Sequence, residues 1–237
     1  MLLSIIIPVL DEAGKIHRDI ENILNFQKQT SCQLETIIVD DGSGDNLADV
    51  LGSYLNKSAI NLKLVKLKTN VGKGHAVKIG VNQSKGQYIC IMDSGNTVPL
   101  KYITKGIKII ENEKLDFAWG SRNLDESKIL IDKVWYRRFT SFLFRNLVTH
   151  LFEFKNLTDT QCGFKVFKGS VAKEIWKECK IDGFLFDIEV LLLAKEKKFT
   201  SREFPIEWTC DRDSRLSLFR NFFGFLKQIQ SLKKRFL

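Results

Sequence analysis

Acids, cations and glycines stand in this chain where short apolar runs stop. In Gln87-Tyr-Ile-Cys-Ile-Met-Asp-Ser-Gly-Asn96 the run ends abruptly at Asp93, followed by the turn residues Ser94, Gly95 and Asn96. Such a run fits a buried strand of a mainly parallel sheet. A carboxylate at its C-terminal end lies at the rim where open α/β sheets bind ligands. Taken alone, Asp93 reads equally well as the cap of a loop or helix. Three other stretches repeat the form. Leu2–Val9 contains Pro8 and leads to Asp11-Glu12, and Leu34–Val39 leads to Asp40-Asp41-Gly42-Ser43. Leu62–Leu67 leads to Asn70-Val-Gly-Lys-Gly74. Glu12 and Asp41 could accept hydrogen bonds from a ribose or a base edge. Gly72 and Gly74 permit close backbone approach, and Lys73 supplies a cation for phosphate. One G-K-G is weak and reads as a plain tight turn. Several such turns in register are stronger together. Leu115–Trp119, closed by Gly120-Ser-Arg122, adds an arginine to the same rim, or a common surface arginine.

The elements that position these residues follow from periodicity. Ile16, Ile20, Ile23 and Leu24 recur at helical spacing, as do Leu47, Val50 and Leu51 behind a capping Asp45. Ala76, Val77 and Ile79 and then Lys101–Ile110 give further helices. Strands alternating with helices imply βαβ units and a parallel sheet flanked by helices.

The chain is long enough, at 237 residues and 44% hydrophobic, for one large α/β domain or one domain with an appendage. Its formal net charge of +9 suggests an acidic partner: nucleic acid, phosphorylated substrate or anionic membrane. Acids clustered at the predicted rim oppose nucleic acid. The five cysteines are scattered without C-x-x-C spacing, which argues against a zinc site or a disulfide framework and for a reducing cytosolic setting. The apolar start, cut by Pro8 and Asp11-Glu12, reads as a strand rather than a signal peptide. Nowhere do 18 uncharged apolar residues run together, so no transmembrane helix is expected.

Two segments are both basic and aromatic. Val134–Phe154 holds seven aromatics with Arg137, Arg138 and Arg145. It reads as an interfacial amphipathic helix or helix pair, or as a core helix with a solvated basic face. Ser214–Leu237 holds six Lys or Arg and no acid. There Leu216, Phe219, Phe223, Leu226, Ile229 and Leu237 could line one helical face suited to an anionic membrane surface, or pack on the domain. Between them, Asp159-Thr-Gln161 enters a short strand at Phe164–Phe167, Asp187 and Glu189 read as acids of a helix first turn, and Phe204–Trp208 as an edge segment. The division expected is a catalytic domain, 1–213, and a basic C-terminal helix, 214–237.

Taken in order, Ser4–Pro8 with Asp11-Glu12, Ile38–Ser43, Asn70–Gly74 and Gly120-Ser-Arg122 resemble the inverting nucleotide-sugar glycosyltransferases of GT-A fold. Asp159-Thr-Gln-Cys-Gly-Phe-Lys165 and Gly183-Phe-Leu-Phe-Asp-Ile-Glu189 resemble the dolichyl-phosphate hexose synthase branch, closer to its glucosyl than its mannosyl type. The resemblance runs from about Leu3 to Ser214. It implies a nucleotide-diphosphate-sugar donor of the UDP-glucose or GDP-mannose type and a polyprenyl-phosphate acceptor. It implies that Pro8, Glu12 and Asp41 hold the nucleoside, that Lys73 lies near the donor, and that Asp93 binds Mg²⁺ or Mn²⁺ on the diphosphate. Arg122 and an arginine of the 137–138 pair, Arg138 being favoured, would face the phosphates; Asp159 and Gln161 would shape the acceptor side. A phosphate monoester is already anionic at neutral pH, so it needs aligning cations more than a strong base. A place on the cytoplasmic face of a membrane, without a spanning helix, and a homo-oligomer complete the expectation.

The family pattern is Asp-x-Asp; this chain reads Asp93-Ser94-Gly95 and lacks the second carboxylate. Three readings follow: a lipid-phosphate hexosyltransferase, a transferase to a non-lipid glycan, and a degenerate nucleotide-sugar-binding protein.

Overall fold

The computed structural model describes residues 1–55, 60–131, 135–154, 157–210 and 222–237. Along the chain run β1 (Leu2–Val9), α1 (Ile16–Gln29), β2 (Gln33–Asp40), α2 (Leu47–Leu55), β3 (Leu62–Lys66), α3 (Lys73–Gln83), β4 (Tyr88–Ile91) and α4 (Lys101–Asn112). Then follow β5 (Phe117–Ser121), β6 (Lys128–Ile131), α5 (Trp135–Leu151), β7 (Lys165–Lys168), α6 (Gly169–Glu178), α7 (Phe186–Glu196), β8 (Ser201–Pro205), β9 (Glu207–Thr209) and α8 (Phe222–Phe236).

One sheet has the order β3-β2-β1-β4-β7-β5-β8, and β6 pairs with β9 apart from it. All pairings in the main sheet are parallel except those of β7, which runs against both β4 and β5. The expected mainly parallel α/β sheet flanked by helices is therefore present. The strand order reverses direction at β1, with β2 and β3 on one side and β4 on the other. A crevice at the carboxyl ends of β1 and β4 follows from that switch. Pro8 helps open it. Ile6 accepts the Met92 amide across the β1–β4 ladder, and pairing ends there. The next rung would need an N–H from residue 8, which proline lacks.

Helices cover both faces, which is why β1 reads as an unbroken apolar run rather than an alternating one. Ile5, Ile7 and Val9 pack with Ile16, Ile20 and Ile23 of α1 and Ile103 and Ile107 of α4. Ile6 faces the other way, into a layer with Val77 and Val81 of α3, Ile175 of α6 and Ile188 of α7. Residues Phe186–Ala194 of α7 are all buried, so its pattern shows no polar stripe.

The helix α8 packs on this second layer. Phe225 and Leu232 are buried, with Ile229 and Phe236 against the same cluster. Of the stripe expected from the sequence, Ile229 packs here, Leu226 and Leu237 are exposed, and the placements of Leu216, Phe219 and the Phe223 side chain fall outside the described residues. Arg235 Nη1 reaches the buried Glu189 Oε1 at 2.6 Å and fastens the helix. The boundary drawn at 213/214 also falls outside the described residues.

Candidate active site

The loops that follow β1, β2, β3, β4 and β5 meet at the carboxyl rim of the sheet. The reversed β7 brings a sixth segment there, because its first residue, Lys165, is paired with Ile91, the last residue of β4, and with Trp119 of β5. Residues 157–164 therefore arrive beside Asp93 and Arg122.

The first two loops are stitched together. The Asp11 amide donates to Ser43 Oγ at 2.8 Å, and the Gly44 amide to Asp11 Oδ1 at 2.6 Å. Asp45 takes the amides of Ala13 and Leu47, so it caps as expected and also ties the loops. Glu12, largely buried, pairs with Lys15 at 3.3 Å. Asp41 is 4% exposed, and its two oxygens accept the amides of Val71 and Gly72, each at 2.9 Å. Burial pushes its carboxyl up and those two amides pull against the shift. Asp41 thus first shapes the loop that carries Lys73.

That loop needs its glycines for reasons internal to the chain. Gly72 has φ 133, and a Cβ there would lie 2.4 Å from the Asp182 carbonyl oxygen; at Gly74 it would lie 2.4 Å from that of Ile181. The close approach read from the sequence is made by residues 181–183.

Lys73 opens α3 and puts Nζ 2.5 Å from Asp93 Oδ1. Burial works against the Asp93 carboxylate, but Lys73, Lys165 and Arg122 outweigh it and hold its pKa below the ordinary value. Burial likewise opposes the Lys73 ammonium, and Asp93 and Asp187 outweigh it upward. Gly163 makes room for this carboxylate, since a Cβ there would meet Asp93 Oδ2 at 2.2 Å.

Two further ion pairs flank this one. Arg122 Nε and Nη2 grip Asp159 Oδ2 and Oδ1 at 2.6 and 2.8 Å. Burial opposes both charges, but each is held by the other: Asp159 is shifted down and Arg122 up. Asp159 also accepts the amides of Arg122 and Gln161, while Glu203 takes the amides of Thr158 and Asp159. Its carboxylate is therefore bound into this network. The guanidinium also lies over the Trp208 ring, 5.2 Å from the centroid. Lys165, 1% exposed, reaches Asp187 Oδ1 at 2.7 Å and the Cys162 carbonyl. Asp187 does stand in the first turn of α7, but its partner is a buried lysine, and burial raises its pKa against the pull of Lys165 and Lys73. Arg138 stands exposed on α5, and the Arg137 side chain lies outside the described residues. Gln161 is partly exposed beside Asp159.

Sequence reasoning missed Lys165, Glu203 and Asp19. Lys165 was visible as a lysine inside the apolar Gly-Phe-Lys-Val-Phe stretch. Asp19 was visible as an acid on the Ile16–Ile20–Ile23 stripe. It is 1% exposed and holds the turn after Asp93.

Among the described residues, no three Cys, His, Asp or Glu side chains converge on a metal position. The Asp93 side chain is 38% exposed at the rim. It fits a hard cation bound through one carboxylate, with phosphate and water supplying the other oxygens.

Acids and cations gathered at the switch point of an open, mainly parallel α/β sheet make a ligand-binding rim. Residues 4–176 match glycosyl transferase family 2, and the chain belongs to that family. It is 32% identical to a dolichyl-phosphate beta-glucosyltransferase of Dictyostelium discoideum, over 99% of this chain and 75% of the relative. It is 27% identical to the Saccharomyces cerevisiae dolichyl-phosphate beta-glucosyltransferase, over 100% of this chain and 75% of the relative. Among solved structures it superposes on glucosyl-3-phosphoglycerate synthase from Mycobacterium tuberculosis, held with Mn²⁺, UDP and glucosyl-3-phosphoglycerate. That match has a TM-score of 0.69 at 15% identity and covers 99% of this chain and 80% of that one. S. aureus TarS with UDP-GlcNAc gives a TM-score of 0.62 at 16% identity, covering 97% and 65%.

Proposed function

We propose that this protein transfers a hexose, glucose by the names of its relatives, from a nucleoside-diphosphate sugar to a polyprenyl phosphate with inversion. The likeness to dolichyl-phosphate beta-glucosyltransferases along 99% of the chain carries the reading. In it, Pro8, Glu12 and Asp41 line the nucleoside end of the rim. Asp93 would hold Mg²⁺ or Mn²⁺, which when bound neutralises the leaving diphosphate. Lys73 exchanges Asp93 for a phosphate oxygen. Arg122, whose bond to Asp159 uses Nε and Nη2, keeps Nη1 for an anionic oxygen. The acceptor monoester attacks the anomeric carbon from the opposite face, its nucleophilic oxygen forming the new bond as the diphosphate oxygen leaves with its electron pair. In this reading Arg138 faces the phosphates with Arg122, and Gln161 shapes the acceptor side, where Asp159 acts through Arg122.

The lipid enters beside α5, where Phe142, Leu143 and Leu147 are 50%, 50% and 52% exposed. Arg145 of the same helix reaches the Thr158 carbonyl at 3.4 Å, which ties this face to the Asp159 loop. No helix among the described residues is long and apolar enough to cross a membrane. We place the protein peripherally on a cytoplasmic membrane face, with the basic 214–237 segment as an accessory contact. The test is release of nucleoside diphosphate from UDP-glucose or GDP-mannose, with and without polyprenyl phosphate, in Mn²⁺, Mg²⁺ or EDTA. Lipid- and metal-dependent release is expected. Nucleotide binding without release from any donor would replace this reading with a degenerate binding protein.

A further inference from the structure

The turn after Asp93 is held from outside. Gly95 has φ 84 and Asn96 φ 52, so two successive residues are left-handed. Glycine and asparagine are the residues that adopt this region most readily, so the sequence permits the turn, and its amides are left pointing together. Successive amides so arranged converge on one point and form a small anion-binding concavity. The anion found there is Asp19, which lies in α1, far away in sequence. Its Oδ2 accepts the Gly95 amide and its Oδ1 the Asn96 amide, both at 2.8 Å. The carboxylate is 1% exposed and occupies the face of α1 that otherwise carries Ile16, Ile20 and Ile23.

We propose that Asp19 is a positioning residue for the donor site: its ionised carboxylate fixes the turn that presents Asp93 to the nucleoside diphosphate. The proposal rests on the reading of the rim as a nucleotide-sugar site. A carboxylate satisfies two N–H donors at once. A carboxylic acid, or the amide of asparagine, has one acceptor oxygen and turns a donor toward the second amide. Protonation of Asp19 therefore releases half of the clamp. Burial sets its pKa at about 6, against the pull of the two amides. Glu12, in the loop after β1, also raises it, and His17 on α1 lowers it.

Two measurements test this. In the wild type, the ¹⁵N–¹H signals of Gly95 and Asn96 are followed from pH 4.5 to 7.5 and should move together with a midpoint near 6. In parallel, binding of UDP-glucose with Mn²⁺ (GDP-mannose if the release assay selects that donor) is measured for wild type and Asp19→Asn. The wild-type affinity should fall several-fold between pH 7 and 5. Asp19→Asn should bind about tenfold more weakly at pH 7 and show no acidic limb. Amide signals that stay still across this range, or Asp19→Asn binding within twofold of wild type with its acidic limb intact, would overturn the proposal. A variant that fails to fold leaves the wild-type titration and its affinity limb to decide. If the wild type binds neither sugar nucleotide at any pH, the donor-site reading fails and takes the proposal with it; a persisting amide titration then identifies that reading as the cause.

Discussion

Lys73 Nζ lies 2.5 Å from Asp93 Oδ1, so the cation that opens α3 and the acid that follows β4 form one unit at the strand switch. The two come from stretches that each read alone as an ordinary turn. In the proposed donor site, a cation bound by Asp93 would share it with this lysine or displace it. Asp93 has no second carboxylate beside it in sequence, because Gly95 occupies that place with a left-handed φ of 84.

Lys73→Gln should therefore tighten metal binding while weakening transfer. Two unit charges 4 Å apart interact by about 4 kcal/mol at an effective dielectric constant near 20. Even a third of that is about tenfold in affinity. Mn²⁺ affinity by electron paramagnetic resonance should rise by at least about tenfold, with a fall in turnover as the diphosphate loses its lysine. Unchanged Mn²⁺ affinity would show that the ion does not use Asp93.

The Arg122–Asp159 pair predicts non-additivity. Removing one partner of a buried pair leaves an uncompensated charge and costs about 3–5 kcal/mol. Asp159→Asn and Arg122→Met should each lower unfolding free energy on that scale, and the double variant should lose much less than their sum. Arg122→Lys should behave like a loss, since one ammonium cannot reproduce the two-bond fork. Additive losses in urea unfolding would mean the two side chains are not coupled.

The rim was legible because a parallel strand buried on both faces is a continuous apolar run, and the residue where it stops is the residue at the edge. Asp93, Asp41, Glu12 and Arg122 were located that way. What joins them was not legible. Asp19 to Gly95, Asp187 to Lys165 and Glu203 to Thr158 are pairings between distant segments, which no local period encodes. The direction of β7 was equally hidden, since a four-residue run, Lys165–Lys168, looks the same either way. The glycines of Gly-Lys-Gly were read as permitting a close backbone approach, but not that the chain's own residues 181–183 make it. The apolar stripe of α8 was only partly legible because the tail offers aromatic or aliphatic residues on several faces, and contact with the core selects Phe225 and Leu232.

The α5 face separates membrane contact from stability. Phe142, Leu143 and Leu147 are half exposed, so replacing any one of them by serine should change unfolding free energy by about 1 kcal/mol or less. Sedimentation with anionic liposomes should drop several-fold, while UDP-glucose binding stays unchanged. Undiminished liposome binding would move the contact away from α5.

The pH dependence of stability should show two windows of opposite sign. Asp19 is raised by burial from 3.8 to about 6, so between these values the folded state holds the extra proton. Stability from this group is fully present below pH 3.8 and is lost as pH rises through about 6. Two units correspond to about 3 kcal/mol. Asp93 and Asp159 are shifted down by their cationic partners, so their contribution is present above the unfolded value and lost as pH falls through the lowered one. Urea unfolding at steps from pH 4 to 7 should show wild type losing about 2–3 kcal/mol relative to Asp19→Asn across that range. Parallel curves would mean that Asp19 is not held as a strained carboxylate. A buried acid that is ionised at neutral pH at the expense of stability, yet grips the turn beside Asp93, has the balance expected of a residue kept for its site.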